Sequence, residues 1–122
     1  MKKKILRVGI APREAIKRYM IDVVAGRRRR APEDPKIWFT SIESFAKVLS
    51  VKNQKLLALI ADRQPDSIDA LAAASGRAKS NLSRSLRTME RYGLVQLERG
   101  KGRKLKPVVK FHGVELRLKL AA

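Results

Sequence analysis

The chain has 122 residues, of which 44% are hydrophobic and 33% charged, and 29 basic against 11 acidic side chains give a net charge of +18. This content supports one packed domain, and the lack of a membrane-length apolar run or a signal-peptide pattern predicts a cytoplasmic, non-membrane protein. The chain has no cysteine and a single histidine, His112, and its GKGRK stretch lies outside any strand–loop–helix context. These features predict no enzyme, no cofactor and no metal site.

The first 35 residues predict a short strand–helix extension followed by a basic loop. KILRVGI at 4–10 is typical of a strand, and Pro12 suits the first turn of a helix that Gly26 ends. RRRRAPEDP then follows as a linker or surface loop. Two interpretations stay open for Arg27–Arg30: an arm that enters a minor groove, or a solvated loop or patch that meets an acidic protein.

Residues 36–63 predict a short strand and two helices. Trp38 and Phe39 are expected to be buried beside the first helix rather than to contact a ligand. Thr40 followed by Glu43 matches a capping box, so a helix is predicted to begin there. The buried positions expected on this helix and on a second one over 53–63 are Ile42, Phe45, Ala46 and Leu49, then Leu56, Leu57 and Ile60.

The remaining chain predicts two closely spaced helices, a hairpin and a final strand. A helix over 67–75 ends at Gly76, and a helix over 79–92 follows after a few residues. LVQLE and KLKPVVKF bracket the turn RGKGR as a β-hairpin, in which Pro107 marks an edge or a bulge. VELRLKL at 114–120 alternates apolar and charged residues, as a half-exposed strand does.

This order of elements predicts an α+β, mainly helical fold: a winged helix-turn-helix with a short N-terminal strand–helix extension. The expected domains are the extension at 1–35, the winged helix-turn-helix at 36–112 and a C-terminal strand at 113–122. The net charge is +7 over 1–35, +1 over 36–75 and +10 over 76–122. A basic excess concentrated in the last segment favours a polyanionic partner.

The helix at 79–92 carries an apolar face and a basic face. Its inward positions are Leu82, Ser85, Leu86 and Met89, and its outward positions are Ser80, Ser83, Arg84, Arg87 and Arg91. A solvated basic face is the simpler interpretation of such a helix alone, but the preceding turn and the following basic hairpin favour DNA binding. The predicted DNA-binding residues are Lys79, Ser80, Asn81, Ser83, Arg84, Arg87 and Arg91 on the helix, and Arg99, Lys101, Arg103 and Lys104 on the wing.

SIDALAAASGRAKSNLSRSLRTMERYGLVQLERGKGRK resembles the core of MarR-like and ArsR-like winged-helix transcription regulators. The S-x-x-L start of the recognition helix and L-x-x-M-E-R-Y-G-L-V carry most of the resemblance. It implies a small prokaryotic regulator, a class in which some members act as antitoxins that repress their own operons. The DNA contacts that it implies are Ser80, Asn81, Ser83, Arg84 and Arg87. Ala78 stands where a capping serine or threonine is usual, so the helix either begins at Ser80 or lacks a side-chain cap.

Three functions follow from these patterns. The first is a sequence-specific, double-stranded DNA-binding regulator that represses its own transcription and associates with the nucleoid. The second is an antitoxin that binds a cognate toxin through its N-terminal arm and DNA through the same domain. The third is a basic RNA-binding or ribosome-associated protein. A recognition helix makes this function less favourable, because the major groove of RNA is deep and narrow and its bases cannot be read by a helix.

The terminal segments predict a homodimer. One winged helix reads only a few base pairs, so such regulators bind as dimers on half-sites about one helical turn apart. Leu116, Leu118 and Leu120 would leave an apolar strip exposed on a monomer, and an unpaired strand edge invites a partner. The alternative is that the two terminal strands pair within one chain and bury these leucines.

Overall fold

The computed structural model describes residues 4–100, 102 and 104–120, which form an α+β fold of five strands and five helices. The elements in chain order are β1 (Ile5–Ile10), α1 (Arg13–Val24), β2 (Ile37–Phe39), α2 (Ile42–Val48), α3 (Val51–Arg63), α4 (Ile68–Ser75), α5 (Lys79–Arg91), β3 (Gln96–Arg99), β4 (Leu105–Val108) and β5 (Gly113–Leu118). The chain divides into two compact units, one formed by residues 1–47 and 113–122 and the other by 48–112. None of the described helices combines the length and the apolar character that crossing a membrane requires.

The first unit is organised by a three-stranded parallel sheet with the order β2-β1-β5. The central strand β1 is the most buried of the three, and its Leu6, Val8 and Ile10 are in the core. Gly9 lies under the Trp38 ring, where an added Cβ would come within 2.5 Å of a ring carbon. Because only glycine fits this contact, the sequence allows β2 to lie close beside β1.

The segment between α1 and β2 folds back onto the first unit. Gly26 adopts a positive φ of 78° after the end of α1, and the Arg27 side chain then bonds Asp22 at 3.0 Å. The Arg28 guanidinium lies 4.7 Å from the centre of the Tyr19 ring. Two of the four consecutive arginines are therefore held against α1, which favours a packed loop over a free arm.

Asp34 is the buried acid that anchors this loop. Its carboxylate accepts hydrogen bonds from the Ala31 amide at 3.0 Å and from the Tyr19 hydroxyl at 3.4 Å. The backbone hydrogen bond from Ala31 is the main cause that lowers the pKa of Asp34 below its ordinary value, and the nearby Arg28 acts in the same direction. Burial opposes this shift without cancelling it.

The second unit packs three helices and a hairpin around a closed apolar core. Its fully buried side chains are Ile60, Leu71, Leu82, Leu86, Met89, Val95 and Pro107. Within it, α4 packs against α5 and also contacts α3 and β4. Ser50 and Ser67 cap α3 and α4 by accepting the amides of Asn53 and Ala70, and Gly76 ends α4 in the left-handed conformation. The left-handed Gly76 begins the short turn that separates α4 from α5.

The structure confirms most of the predicted elements and corrects several details. Ser41, not Thr40, caps α2 by accepting the Ser44 amide at 3.1 Å. The positions predicted as buried at Ile42 and Ala46 are exposed, because α2 is too short to bury a full stripe. The compact second unit begins at Val48, whereas the predicted domain begins at 36 and so includes β2, which pairs with β1 in the first unit.

The two terminal strands pair within one chain, but this pairing does not bury the leucines of β5. Leu116 and Leu118 remain 45% and 43% exposed, and Leu120 is 91% exposed. Pro107 is buried in β4 opposite Leu97 of β3. Since β3 and β4 form a two-stranded sheet, each is an edge strand, and Pro107 occupies the kind of position that proline tolerates.

Candidate nucleic-acid interface

Helix α5 presents opposite faces to the core and to solvent. Leu82, Leu86 and Met89 are fully buried along one side. With about 100° between successive residues, the opposite side carries four side chains within an arc of roughly 60°. These four exposed residues, called the α5 arginine face below, are Ser80, Arg84, Arg87 and Arg91. The apolar stripe fixes how the helix lies in the unit and therefore which side chains it exposes.

The arginines of the α5 arginine face have no ionic partner among the described residues, whereas neighbouring Lys79 does. The Lys79 ammonium lies 3.0 Å from the carboxylate of Asp69 on α4, although both side chains are exposed. No acid of the described chain lies within ion-pair distance of Arg84, Arg87 or Arg91. Their guanidinium groups are thus available to bidentate acceptors such as phosphate oxygens or a guanine edge.

Arg77 braces the start of α5, a role that the sequence patterns did not reveal. Its guanidinium donates to the Asn81 side-chain oxygen at 2.5 Å and to the Ser85 hydroxyl at 3.0 Å. Its backbone amide donates to the Ser75 hydroxyl at 3.2 Å. Because Arg77 precedes the first helical residue, Lys79, the periodic pattern of α5 gave no signal for these contacts.

The first turn of α5 begins at Lys79 and has no side-chain cap, since Ala78 occupies the N-cap position. Of the two alternatives left open by Ala78, the structure therefore has the uncapped helix. Amides at the start of an uncapped helix can donate to an anion, and the helix dipole favours negative charge there. This end of α5 adjoins Ser80, the first member of the α5 arginine face.

The hairpin places a second set of predicted residues around its turn. Antiparallel pairing sets Arg99 opposite Leu105, and the Gly100 amide donates to the Lys104 carbonyl at 2.8 Å. Gly102 takes a positive φ of 73°, which suits glycine in a tight turn. Arg99 and Lys104 are exposed beside this turn. The predicted wing residues Lys101 and Arg103 lie outside the described residues.

The remaining predicted site residues are less available than Arg84 and Arg87. Ser83 is half-buried, although it was predicted to point outward. The Asn81 oxygen already accepts from Arg77, and Lys79 is paired with Asp69. Within the described part of the chain, no group of His, Asp and Glu side chains could hold a metal ion. The geometry therefore narrows the candidate interface to the α5 arginine face and the basic hairpin turn.

Comparison with known proteins assigns the chain to a family without describing its activity. Residues 48–116 match the HVO_A0114 family, and the chain belongs to that family. The match spans the second unit with its arginine-bearing helix and continues into β5. No curated protein and no solved structure matches the chain.

Proposed function

We propose that this protein is a transcription regulator that binds double-stranded DNA through a winged helix-turn-helix. In this proposal α4 and α5 form the helix-turn-helix pair, and α5 lies in the major groove with Arg84 and Arg87 at base edges. The β3–β4 hairpin is the wing, and Arg99 and Lys104 contact the phosphate backbone or the minor groove. Two copies bind paired half-sites, because one unit reads too few base pairs for useful specificity.

One observation carries the proposal: Arg84, Arg87 and Arg91, which have no acidic partner among the described residues, stand on the outer side of a helix whose inner side is fully buried. A solvated basic face on a globular protein tends to include neutralising acids, as the Lys79–Asp69 pair shows within the same unit. Leaving Arg84, Arg87 and Arg91 close together without partners costs electrostatic repulsion that a polyanion would relieve. The buried stripe also fixes which side chains of α5 are exposed.

The proposal is tested by measuring duplex binding with fluorescence anisotropy as salt rises between about 50 and 200 mM. Wild-type protein should bind a DNA duplex with an affinity that falls steeply as salt rises. A plot of the logarithm of the binding constant against the logarithm of the salt concentration should have a slope of about −0.9 per phosphate neutralised. The double variant Arg84→Ala/Arg87→Ala should bind the duplex at least about tenfold more weakly, since each arginine contact contributes roughly 1–3 kcal/mol.

The matched control is Arg13→Ala/Arg18→Ala, which removes the same charge from exposed positions on α1 in the first unit. It should weaken duplex binding far less. Equal weakening by the two double variants would show that net charge alone drives association and would overturn the assignment to α5. Tighter binding to an RNA duplex of the same sequence would favour the RNA-associated alternative.

A further inference from the structure

Strand β5 is an open edge of the parallel sheet. Its one neighbour among the described residues is β1, and the opposite edge of β5 has no strand beside it. Val114, Leu116 and Leu118 are 38%, 45% and 43% exposed, while their neighbours Leu6, Val8 and Ile10 on β1 are buried. An apolar edge strand that is left unpaired is a template for a further strand.

The free edge of β5 offers backbone groups at three alternate residues. The Lys119 amide donates to the Ile10 carbonyl at 3.3 Å, so Lys119 directs its backbone toward β1. Because hydrogen-bonding groups alternate between the two sides of a strand, Glu115 and Arg117 also face β1. The amides and carbonyls of Val114, Leu116 and Leu118 must then face the open edge.

The sequence of β5 is complementary to itself when it is read in the opposite direction. In an antiparallel pair centred on Leu116, that residue faces its own copy, and Val114 faces Leu118 of the second copy. The same register sets Glu115 opposite Arg117 of the second copy, and the reverse pair follows by symmetry. Apolar pairs then occupy one face of the paired strands, and opposite charges occupy the other.

The backbone directions agree with this register. Val114, Leu116 and Leu118 would form the hydrogen-bonded pairs of the antiparallel ladder, because their amides and carbonyls face outward. Glu115 and Arg117 would then occupy the non-hydrogen-bonded pairs, in which the Cα atoms approach to about 4.5 Å and the side chains are closest. The closest side-chain positions are therefore the ones that carry opposite charges.

We propose that β5 is the interface of a two-fold homodimer, in which two copies pair antiparallel about Leu116 into one continuous sheet. The order of the joined sheet is β2-β1-β5 followed by β5, β1 and β2 of the second copy. This interface supplies the pairing that the function proposed above requires, but it rests on the sheet edge and not on nucleic-acid binding. A parallel arrangement is excluded by the two-fold symmetry of a closed dimer.

Glu115 and Arg117, the charged residues of this interface, can each form a second ionic contact in addition to the one within the chain. Glu115 lies 3.6 Å from Arg7, and Arg117 lies 4.0 Å from Asp34, within one chain. The Glu115 and Arg117 side chains remain 60% and 58% exposed in these contacts. A carboxylate accepts several hydrogen bonds and a guanidinium donates five, so each can serve a contact within the chain and a contact between copies.

The test uses the full-length chain without nucleic acid and measures its mass by sedimentation. Wild-type protein should be a dimer at micromolar concentration. Glu115→Arg places like positive charges opposite one another in both pairs, and Arg117→Glu does the same with negative charges. Each single variant should raise the dimer dissociation constant at least about tenfold.

Mixing the two single variants should restore the dimer, because the chain with two positive groups then meets the chain with two negative ones. The double variant Glu115→Arg/Arg117→Glu should also dimerise. It loses both the contact to Arg7 and the contact to Asp34, of which each single variant loses one. This double variant separates a lost interface from a damaged fold.

A wild-type monomer at micromolar concentration overturns the proposal. So do single variants that dimerise like the wild type, or a mixture and a double variant that both remain monomeric. If the dimer behaves as proposed while DNA binding is absent, the function proposed above fails and this interface stands.

Discussion

The two units carry the same net charge but hold it differently. The first unit has 15 basic and six acidic residues, and the second has 14 and five, so each has a net charge of +9. In the first unit Arg28 and Arg117 both lie 4.0 Å from the buried carboxylate of Asp34, and Arg7 contacts Glu115. Arg7, Arg28 and Arg117 therefore help to hold a loop and a strand of this unit in place.

In the second unit the arginines of α5 contact no acid of the described chain, and the core beneath them is closed. The units also differ in what they leave exposed: the first exposes the apolar strand β5, and the second exposes the cationic helix α5. The net charge of a unit therefore does not by itself identify a binding surface. The arrangement of charges against their neighbours is the basis on which we propose polyanion binding for the second unit and self-association for the first.

The largest effect is expected from truncating the core under α5. Leu86→Ala should lower the free energy of unfolding by about 2–5 kcal/mol, because Leu86 is fully buried and its truncation leaves a cavity. Leu118→Ala is the matched change at the exposed edge of β5. In dilute protein it should lower the free energy of unfolding by less than about 1 kcal/mol.

Chemical denaturation followed by far-UV circular dichroism measures both losses, and the fluorescence of the single tryptophan Trp38 reports on the first unit alone. If Leu86→Ala shifts the Trp38 transition as much as the helical signal, the two units unfold together. A shift confined to the helical signal would instead show that the first unit keeps its stability when the core of the second is truncated.

A smaller effect on the free energy of unfolding is expected where Gly9 lies against the Trp38 ring in the first unit. Gly9→Ala should destabilise the protein by about 1–3 kcal/mol, because the new Cβ would overlap the Trp38 ring and lie 2.9 Å from the Pro35 side chain. Gly100→Ala is the matched change in the second unit, where the Cβ would have ordinary contacts at 3.6 Å and 3.9 Å. If Gly9→Ala does not shift the unfolding transition that Trp38 fluorescence reports, the packing of β2 against β1 would be contradicted.

The smallest effect concerns the pH dependence of the first unit. Since the folded pKa of Asp34 is below its ordinary 3.8, its stabilising contribution is complete above that pH and is lost as the pH falls toward the folded pKa. Asp34→Asn should remove this part of the acid sensitivity and lower the stability at neutral pH. Trp38 fluorescence at several pH values compares the two proteins, and parallel losses on acidification would exclude Asp34 as the cause.

The helices of the second unit could be predicted well because their signals are local. The period of Leu82, Leu86 and Met89 defined the buried side of α5, and Gly76 marked the preceding turn. The partners of the polar residues were not predictable in the same way. The Lys79–Asp69 pair depends on how α4 packs against α5, and such packing is set by tertiary contacts rather than by spacing.

The sheet of the first unit shows the limit of sequence patterns. The alternation in VELRLKL predicted a half-exposed strand, but not that it would pair in parallel with the distant β1. Strand pairing between the two ends of a chain leaves no local signal. The same limit explains the domain boundary: the pattern that starts at 36 does not reveal that β2 joins β1.

The proposed base reading by α5 can be measured by selecting bound sequences from a random duplex pool with wild-type protein and with Arg84→Ala. The wild type should enrich an inverted repeat whose half-sites lie about one helical turn apart. Arg84→Ala should lose the preference at one base position of each half-site, by roughly 1–3 kcal/mol, while Lys104→Ala should keep the motif and bind all sequences more weakly. Failure of the wild type to enrich any motif, or an unchanged motif from Arg84→Ala, would contradict the proposal that α5 reads DNA.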